Sequence, residues 1–280
     1  MRPAPLELKI PHSIAEALQA IECGAKPIAG GQSLVQSMRL GTSQPSVLVD
    51  IASVLDSEID TVADNVTVGA MVTHAQFSAS PAIGAAYPWL VEAAKAIGDV
   101  QVRNLGTVVG NICWADPRAN MAVAMLATGG QLEFYAGVNS SDTEFVAIDQ
   151  LFVGFQRTMV EDRLAKRLLI PTFDDASGCY KEFSRQPQDL ALVNVCVVRT
   201  ATGWRIAVGG LAPTPLRLID IEPLVDSSSF ESSLSQFLQD GISLAPPDER
   251  FGDTNYHRQL AKRLILDAIH ELKEDQKGAR

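Results

Sequence analysis

The chain has 280 residues, of which 46% are hydrophobic and 20% charged, the composition of an ordinary globular protein with length for one to three domains. Its formal charge of −10, 33 acidic residues against 23 basic, argues against a nucleic-acid surface, which needs clustered Lys and Arg. No apolar run approaches the roughly 18 residues that cross a bilayer, and Met1-Arg2 leads into prolines rather than an apolar signal core. Cys23, Cys113, Cys179 and Cys196 are isolated, without CxxC spacing, which excludes a local zinc or iron–sulfur framework. They read as reduced thiols, mostly buried small apolar residues, in a cytoplasmic protein.

Leu6 to Ile10 alternates like a short strand. Ser13 then caps a helix, with Glu16 at the capping-box position, Ile14, Ala17, Leu18 and Ile21 on one face, and Gly24 at its end. Pro27-Ile28-Ala29 runs into Gly30-Gly31-Gln32-Ser33, a helix from Leu34 to Leu40 follows, and Val47 to Ile51 is a strand, a βαβαβ unit. At the Gly30-Gly31 junction Ser33 is placed to cap the helix, leaving backbone N–H groups pointing outward as an anion cradle. The junction is neither GxGxxG nor a Walker loop, so a cap that binds nothing is an equal reading there.

Glu58 to Ala70 reads as a hairpin turning at Asp64-Asn65, and Thr73 caps a helix. Pro81 to Ile97 gives one or two Ala-rich helices. The central stretch is Val102-Arg103-Asn104-Leu105-Gly106-Thr107-Val108-Val109-Gly110-Asn111, continuing through Ala115-Asp116-Pro117 to a helix over Arg118 to Ala127. Its glycines allow backbone to approach a ligand where a Cβ would collide, which suits a pyrophosphate; Gly with Asn equally marks a plain turn. Gln131 to Tyr135 pairs with Thr143 to Ala147, and Leu168 to Ile170 ends at Pro171. After a polar junction at Asp174 to Gly178, Tyr180 to Ser184, Ala191 to Arg199 and Trp204 to Val208 form an antiparallel meander. A Ser-rich segment from Asp226 to Ser235 starts a modest helix, and Asn255 to Leu272 is a long amphipathic one that packs on the meander. The histidines His12, His74, His257 and His270 are scattered and read as surface residues, with no nucleophile–base pair in sight.

Five segments together resemble the FAD-binding medium subunits of the molybdenum hydroxylases, the carbon monoxide dehydrogenase and xanthine dehydrogenase group. They are Ala29 to Ser33; Val102 to Asn111 with Ala115-Asp116-Pro117; Lys181, Ser184-Arg185 and Asp189-Leu190-Ala191; Gly210 to Arg217; and Tyr256-His257-Arg258. The resemblance implies an α+β chain: a two-subdomain FAD-binding fold of the PCMH type, residues 1–55 and 56–175, then a C-terminal antiparallel three-stranded sheet with helices, residues 176–280. It also implies a cofactor site for non-covalent FAD, since no linking His or Cys lies in either motif. Ala29, Gly30, Gly31, Gln32, Ser33, Leu34, Val35 and Gln36, with Thr107, Val109, Gly110 and Asn111, would wrap the pyrophosphate. Arg103 and Asn104 belong to the second motif. Ile97 sits where relatives have an apolar residue on the adenine or flavin, Asp116 lies in a flavin-side loop, and Lys181 matches a lysine near the flavin ring. Three positions depart from the family: Val109 stands for the first of two usual glycines, Trp114 for a small residue or His, and Asn120 for a frequent aspartate. A β-branched Val109 resists positive φ and adds bulk where backbone approaches phosphate.

The function implied is electron transfer. A large molybdenum-cofactor subunit would oxidise the substrate, a small subunit with [2Fe-2S] clusters would pass electrons to FAD here, and the flavin would hand them to an external acceptor. No catalytic residue and no metal ligand is expected in this chain. The alternative is a scaffold subunit of the same complex that has lost FAD or holds it weakly, motivated by Val109. A stand-alone covalent-flavin oxidase is disfavoured by the missing linking residue.

Overall fold

The computed structural model describes residues 6–137, 142–160, 163–241 and 253–278. Strands β1 (Glu7–Lys9), β2 (Lys26–Ile28) and β3 (Val47–Asp50) form a parallel sheet in the order β1-β3-β2, crossed by α1 (Ile14–Glu22) and α2 (Leu34–Leu40). Ser13 Oγ accepts from Glu16 N–H at 3.2 Å, but the Glu16 carboxylate returns to His12 N–H at 2.8 Å, so the expected box closes one residue early. Ala17, Leu18, Ala20 and Ile21 bury one face of α1, whereas α2 buries none of its residues.

Strands β4 (Ile59–Val62) and β5 (Asn65–Gly69) make the hairpin, turning at Ala63-Asp64 with Ala63 at φ +51°. Helices α3 (His74–Ala79), α4 (Pro81–Ala86), α5 (Pro88–Lys95), α6 (Val100–Leu105), α7 (Val108–Cys113) and α8 (Asn120–Thr128) follow. Then come β6 (Gln131–Tyr135), β7 (Thr143–Ala147), the one-turn α9 (Ile148–Leu151), the small ribbon β8 (Phe152–Gly154) and β9 (Arg157–Thr158), and β10 (Ala165–Pro171). They complete an antiparallel five-stranded sheet in the order β4-β5-β10-β6-β7. The central stretch is thus mostly helical, α6 and α7 separated by Gly106-Thr107, and the next helix starts at Asn120 rather than Arg118. α8 is apolar on every side and all nine of its residues are buried.

The last sheet comprises β11 (Ala176–Phe183), β12 (Val193–Thr200), β13 (Gly203–Gly209) and β14 (Leu216–Arg217), followed by α10 (Phe230–Gln236) and α11 (Thr254–Gly278). It has four strands where three were expected, because Leu216-Arg217 pairs along the edge of β13. Period-two alternation gives it two buried faces. Tyr180, Cys196, Val198 and Ala207 join the core of the preceding 170 residues around α8 and the five-stranded sheet. Cys179, Val193, Val195 and Val197 face a second core with Ala261, Ile265, Ala268 and Leu272 of α11. Trp89 closes the junction: its indole donates to Thr128 Oγ1 at 3.0 Å, and its ring lies so near β11 that a Cβ at Gly178 would be 2.4 Å from it.

His74 and His257 are 2% exposed, which corrects the expectation of four surface histidines; His12 and His270 are exposed. Cys23 is exposed, against the expectation of burial, while Cys179 and Cys196 are buried. No helix among the described residues is long and apolar enough to cross a membrane.

Candidate cofactor site

The Gly30-Gly31 turn lies where β2 hands over to α2. Gly31 has φ +70°, the left-handed region that favours glycine. Gly30 is required by packing, since a Cβ there would sit 1.8 Å from the Leu105 carbonyl oxygen and 3.0 Å from Gly106 Cα. The two glycine stretches therefore touch, backbone on backbone, with Gln32 Cγ against Gly106. Among the described residues the N–H groups of Gly31, Gln32, Ser33 and Leu34 have no partner, while Val35 N–H starts the helical ladder on Gly31 O at 3.0 Å. Ser33 has φ −105° and ψ −50° and makes no side-chain cap, contrary to expectation, which leaves its hydroxyl as a further donor. Ala29 is half-buried and Val35 and Gln36 are exposed.

The second stretch is built the opposite way. Thr107 caps α7, its Oγ1 accepting from Gly110 N–H at 3.1 Å and its carbonyl from Asn111 N–H at 3.0 Å, while Val108 N–H donates to Val72 O. Val109 is helical, has no positive φ, and is 3% exposed with its side chain in the core. The expectation that it presents bulk to a phosphate is corrected: a helical Cβ leans toward the N-terminus and this one leans inward. Gly110 is exposed, and a Cβ there would meet the capping Thr107 hydroxyl at 2.6 Å. Arg103 clamps its own segment, Nη1 donating to Ile97 O and Gly98 O at 2.9 Å each, and Asn104 donates to Val100 O.

His74 was not singled out by sequence reasoning. It lies under the meeting point of the two stretches, its N–H donating to Gly106 O at 3.0 Å and its Cδ2 facing Gly106. Among the described residues its Nδ1 is buried without a partner, and burial first, then the Arg103 guanidinium, push its pKa down to about 4. The available signal was position: His74 directly follows the capping Thr73 of α3 and a buried strand.

From Asn111 a polar chain runs to the C-terminal sheet. Asn111 Oδ1 accepts from Met121 N–H at 3.2 Å. The neighbouring Asn120, 5% exposed, donates through Nδ2 to Ala93 O at 3.3 Å and to Glu182 Oε2 at 2.9 Å. Tyr180 Oη donates to the same Oε2 at 2.9 Å and accepts from Asn194 Nδ2, which also donates to Arg118 O at 3.0 Å. Arg118 in turn grips Asp116 through Nε and Nη2. Asp116 is 5% exposed with both carboxylate oxygens engaged, following Ala115, an alanine held at φ +54°. Burial raises the pKa of Glu182 and holds that of Tyr180 well above its ordinary value.

Lys181 is not part of this group. Strand alternation turns it to the α11 face, where Nζ pairs with Glu271 Oε2 at 2.6 Å beside Cys179. Glu182, its neighbour, faces Asn120 instead. The structure thus joins the glycine stretches, Asn111, Asp116 and Asn120, and sets Lys181 apart. A cavity of about 340 Å³ at the C-terminal end of α8, lined by Gly129, Asp149, Arg205 and Arg217 among others, contains none of the residues expected from the sequence.

Residues 4–173 match the family model described as the FAD binding domain in molybdopterin dehydrogenase, and residues 178–272 match the CO dehydrogenase flavoprotein C-terminal domain. The nicotine 6-hydroxylase medium subunit of Paenarthrobacter nicotinovorans is 32% identical over 93% of this chain and 95% of its own length. The carbon monoxide dehydrogenase medium chain of Hydrogenophaga pseudoflava is 30% identical over 96% and 98%. A solved structure of carbon monoxide dehydrogenase from Hydrogenophaga pseudoflava, lacking the Mo-pyranopterin moiety of the molybdenum cofactor, superposes with a TM-score of 0.87 at 27% identity, covering 96% of this chain and 98% of that one. The touching glycine turns, the open N–H groups and these matches lead to one conclusion: the chain belongs to the FAD-binding medium subunits of the molybdenum hydroxylases, and is an oxidoreductase subunit.

Proposed function

We propose that this chain carries electrons within a heterotrimeric molybdenum hydroxylase, taking them from [2Fe-2S] clusters of a small partner subunit and passing them through FAD to an external acceptor. The substrate would be oxidised on the molybdenum cofactor of a large partner subunit. One observation carries the cofactor assignment: the Gly30-Gly31 turn offers four adjacent unpartnered N–H groups at a place that a Cβ would close. Such a cradle fits the oxygens of a pyrophosphate. Gly31, Gln32, Ser33 and Leu34 bind the dianion; Ala29 and Gly30 set the turn, and Val35 and Gln36 continue it as the exposed first turn of α2. Thr107 and Asn111 stiffen the facing wall, where Gly110 leaves the surface open and Val109 contributes its buried side chain to the support. Arg103, Asn104 and Ile97 hold the neighbouring turn in shape, and Asp116 and Asn120 order the loop toward the C-terminal sheet. When bound, FAD supplies the electron-carrying chemistry, and the protein supplies orientation and electrostatics.

The division into residues 1–55, 56–175 and 176–280 belongs to this reading and is supported by three separate main sheets. The scaffold alternative rested on Val109, and its buried helical position removes that ground. Co-expression with the two neighbouring subunits tests the assembly: a three-chain complex with bound FAD is expected, and a chain that purifies alone and colourless contradicts it.

A further inference from the structure

Resting on the FAD reading above, we propose that Glu182, rather than Lys181, is the charged side chain this subunit presents to its bound flavin, and that its negative charge lowers the reduction potential of the cofactor. Three observations carry this. First, β11 alternates, and the residue that turns toward the cofactor-binding half is Glu182, while Lys181 is held on the far face by Glu271. Second, Glu182 is joined to the wall facing the cradle by one short relay: Asn111 accepts from the second residue of α8, and Asn120, the first residue of α8, donates to the Glu182 carboxylate at 2.9 Å. Third, Asn120 Nδ2 and Tyr180 Oη both donate to Oε2, and Tyr180 Oη is itself supplied by Asn194 Nδ2; these hydrogen bonds favour the ionised carboxylate against the burial that opposes it. Among the described residues Oε1 has no partner, no Lys or Arg pairs with Glu182, and the side chain is half-exposed. Its charge is therefore paired with no Lys or Arg among the described residues and open on one oxygen.

A fixed negative charge beside a redox group opposes the arrival of electrons, so the group is harder to reduce than it would be beside a neutral or cationic side chain. A lysine in this place would act with the opposite sign. The consequence is a subunit whose flavin is the more reducing donor to its acceptor, set by one residue of the C-terminal sheet.

The test is a spectral redox titration of the FAD-loaded full chain or complex against indicator dyes. Glu182→Gln keeps the size of the side chain and one accepting oxygen. It is expected to shift the oxidised-to-reduced ratio at a given dye poise at least tenfold toward reduced, about 30 mV upward for a two-electron couple. Glu182→Lys moves it further in the same direction, and Lys181→Ala leaves it in place. Tyr180→Phe removes a donor that favours the ionised carboxylate, so it moves the potential upward, in the direction of Glu182→Gln and by less; this variant carries the test should the Glu182 variants fail to fold. FAD bound at the wild-type level with an unmoved potential overturns the assignment of Glu182 alone. A wild-type chain that takes up no FAD overturns the underlying reading, and this one with it.

Discussion

The two glycine stretches look equivalent in the sequence and are built for opposite ends. Around Gly30-Gly31 the backbone is half-exposed, its N–H groups are open, and the helix that follows buries nothing. Around Thr107 to Asn111 the N–H groups of Val108, Gly110 and Asn111 are already spent, on Val72, on the Thr107 hydroxyl and on the Thr107 carbonyl, and Val108, Val109 and Ile112 are core residues. In the function proposed, the first stretch is the ligand's surface and the second is the wall that holds it in place. Glycine in a motif therefore reports close approach, but what approaches is, at Gly30, another piece of the same chain.

Substitutions at the contact between the stretches break this comparison most severely. Gly30→Ala would drive a methyl into the Leu105 carbonyl, and backbone cannot swing aside as a side chain does. A loss of at least about 3 kcal/mol is expected together with loss of FAD, read from denaturant midpoints and the flavin-to-protein ratio. Gly110→Ala meets a hydroxyl instead, so its cost is about that of one helix cap, roughly 1 kcal/mol, with FAD largely retained. Equal losses at the two positions would show the stretches to be alike after all.

Val109→Gly tests the wall. A family-like glycine there suggests better FAD binding, but removing a buried valine from a helix costs about 2–4 kcal/mol. Lower stability with no gain in bound FAD is expected from thermal melts and flavin release, and a rise in FAD retention would return Val109 to the phosphate.

His74, beneath the contact, sets a pH response. Its pKa is about 4 when folded, against 6.5 as its ordinary value, so the unfolded chain binds the extra proton first. This contribution is complete above about pH 6.5 and is lost as pH falls toward 4, up to about 3 kcal/mol across that window. Stability curves of wild type and His74→Gln should converge on acidification; parallel curves would mean that His74 is protonated in place.

The smallest effect is expected at Lys181. Its partner Glu271 is half exposed, so Lys181→Ala should change stability by no more than about 0.5 kcal/mol and leave FAD content unchanged.

Much of this was legible in the sequence for physical reasons that can be named. The capping Ser13 and Thr73, the turn at Gly24 and the long apolar stripe of α11 are local signals, and local signals do not depend on the fold. α6 and α7 were hidden because Gly106 and Gly110 look like loop residues, while their helicity comes from the Asp99 and Thr107 caps and from burial. β14 is two residues directly after Pro215, too short to have a period. Lys181 and Glu182 show the sharpest limit: in a strand buried on both faces, one residue decides the side, and only the placement of α11 and α8 settles which. Tyr180 was the usable clue, since a buried phenol needs polar company on its own face and Glu182 shares that face.

The measurement that bears most directly on the account is an absorbance spectrum of the purified chain, followed by acid release and identification of any flavin. A flavin band at about one equivalent of released FAD is expected, because the Gly30-Gly31 cradle is open and Val109 is out of its way. A colourless chain that takes up no added FAD, alone or with its partner subunits, would contradict the account.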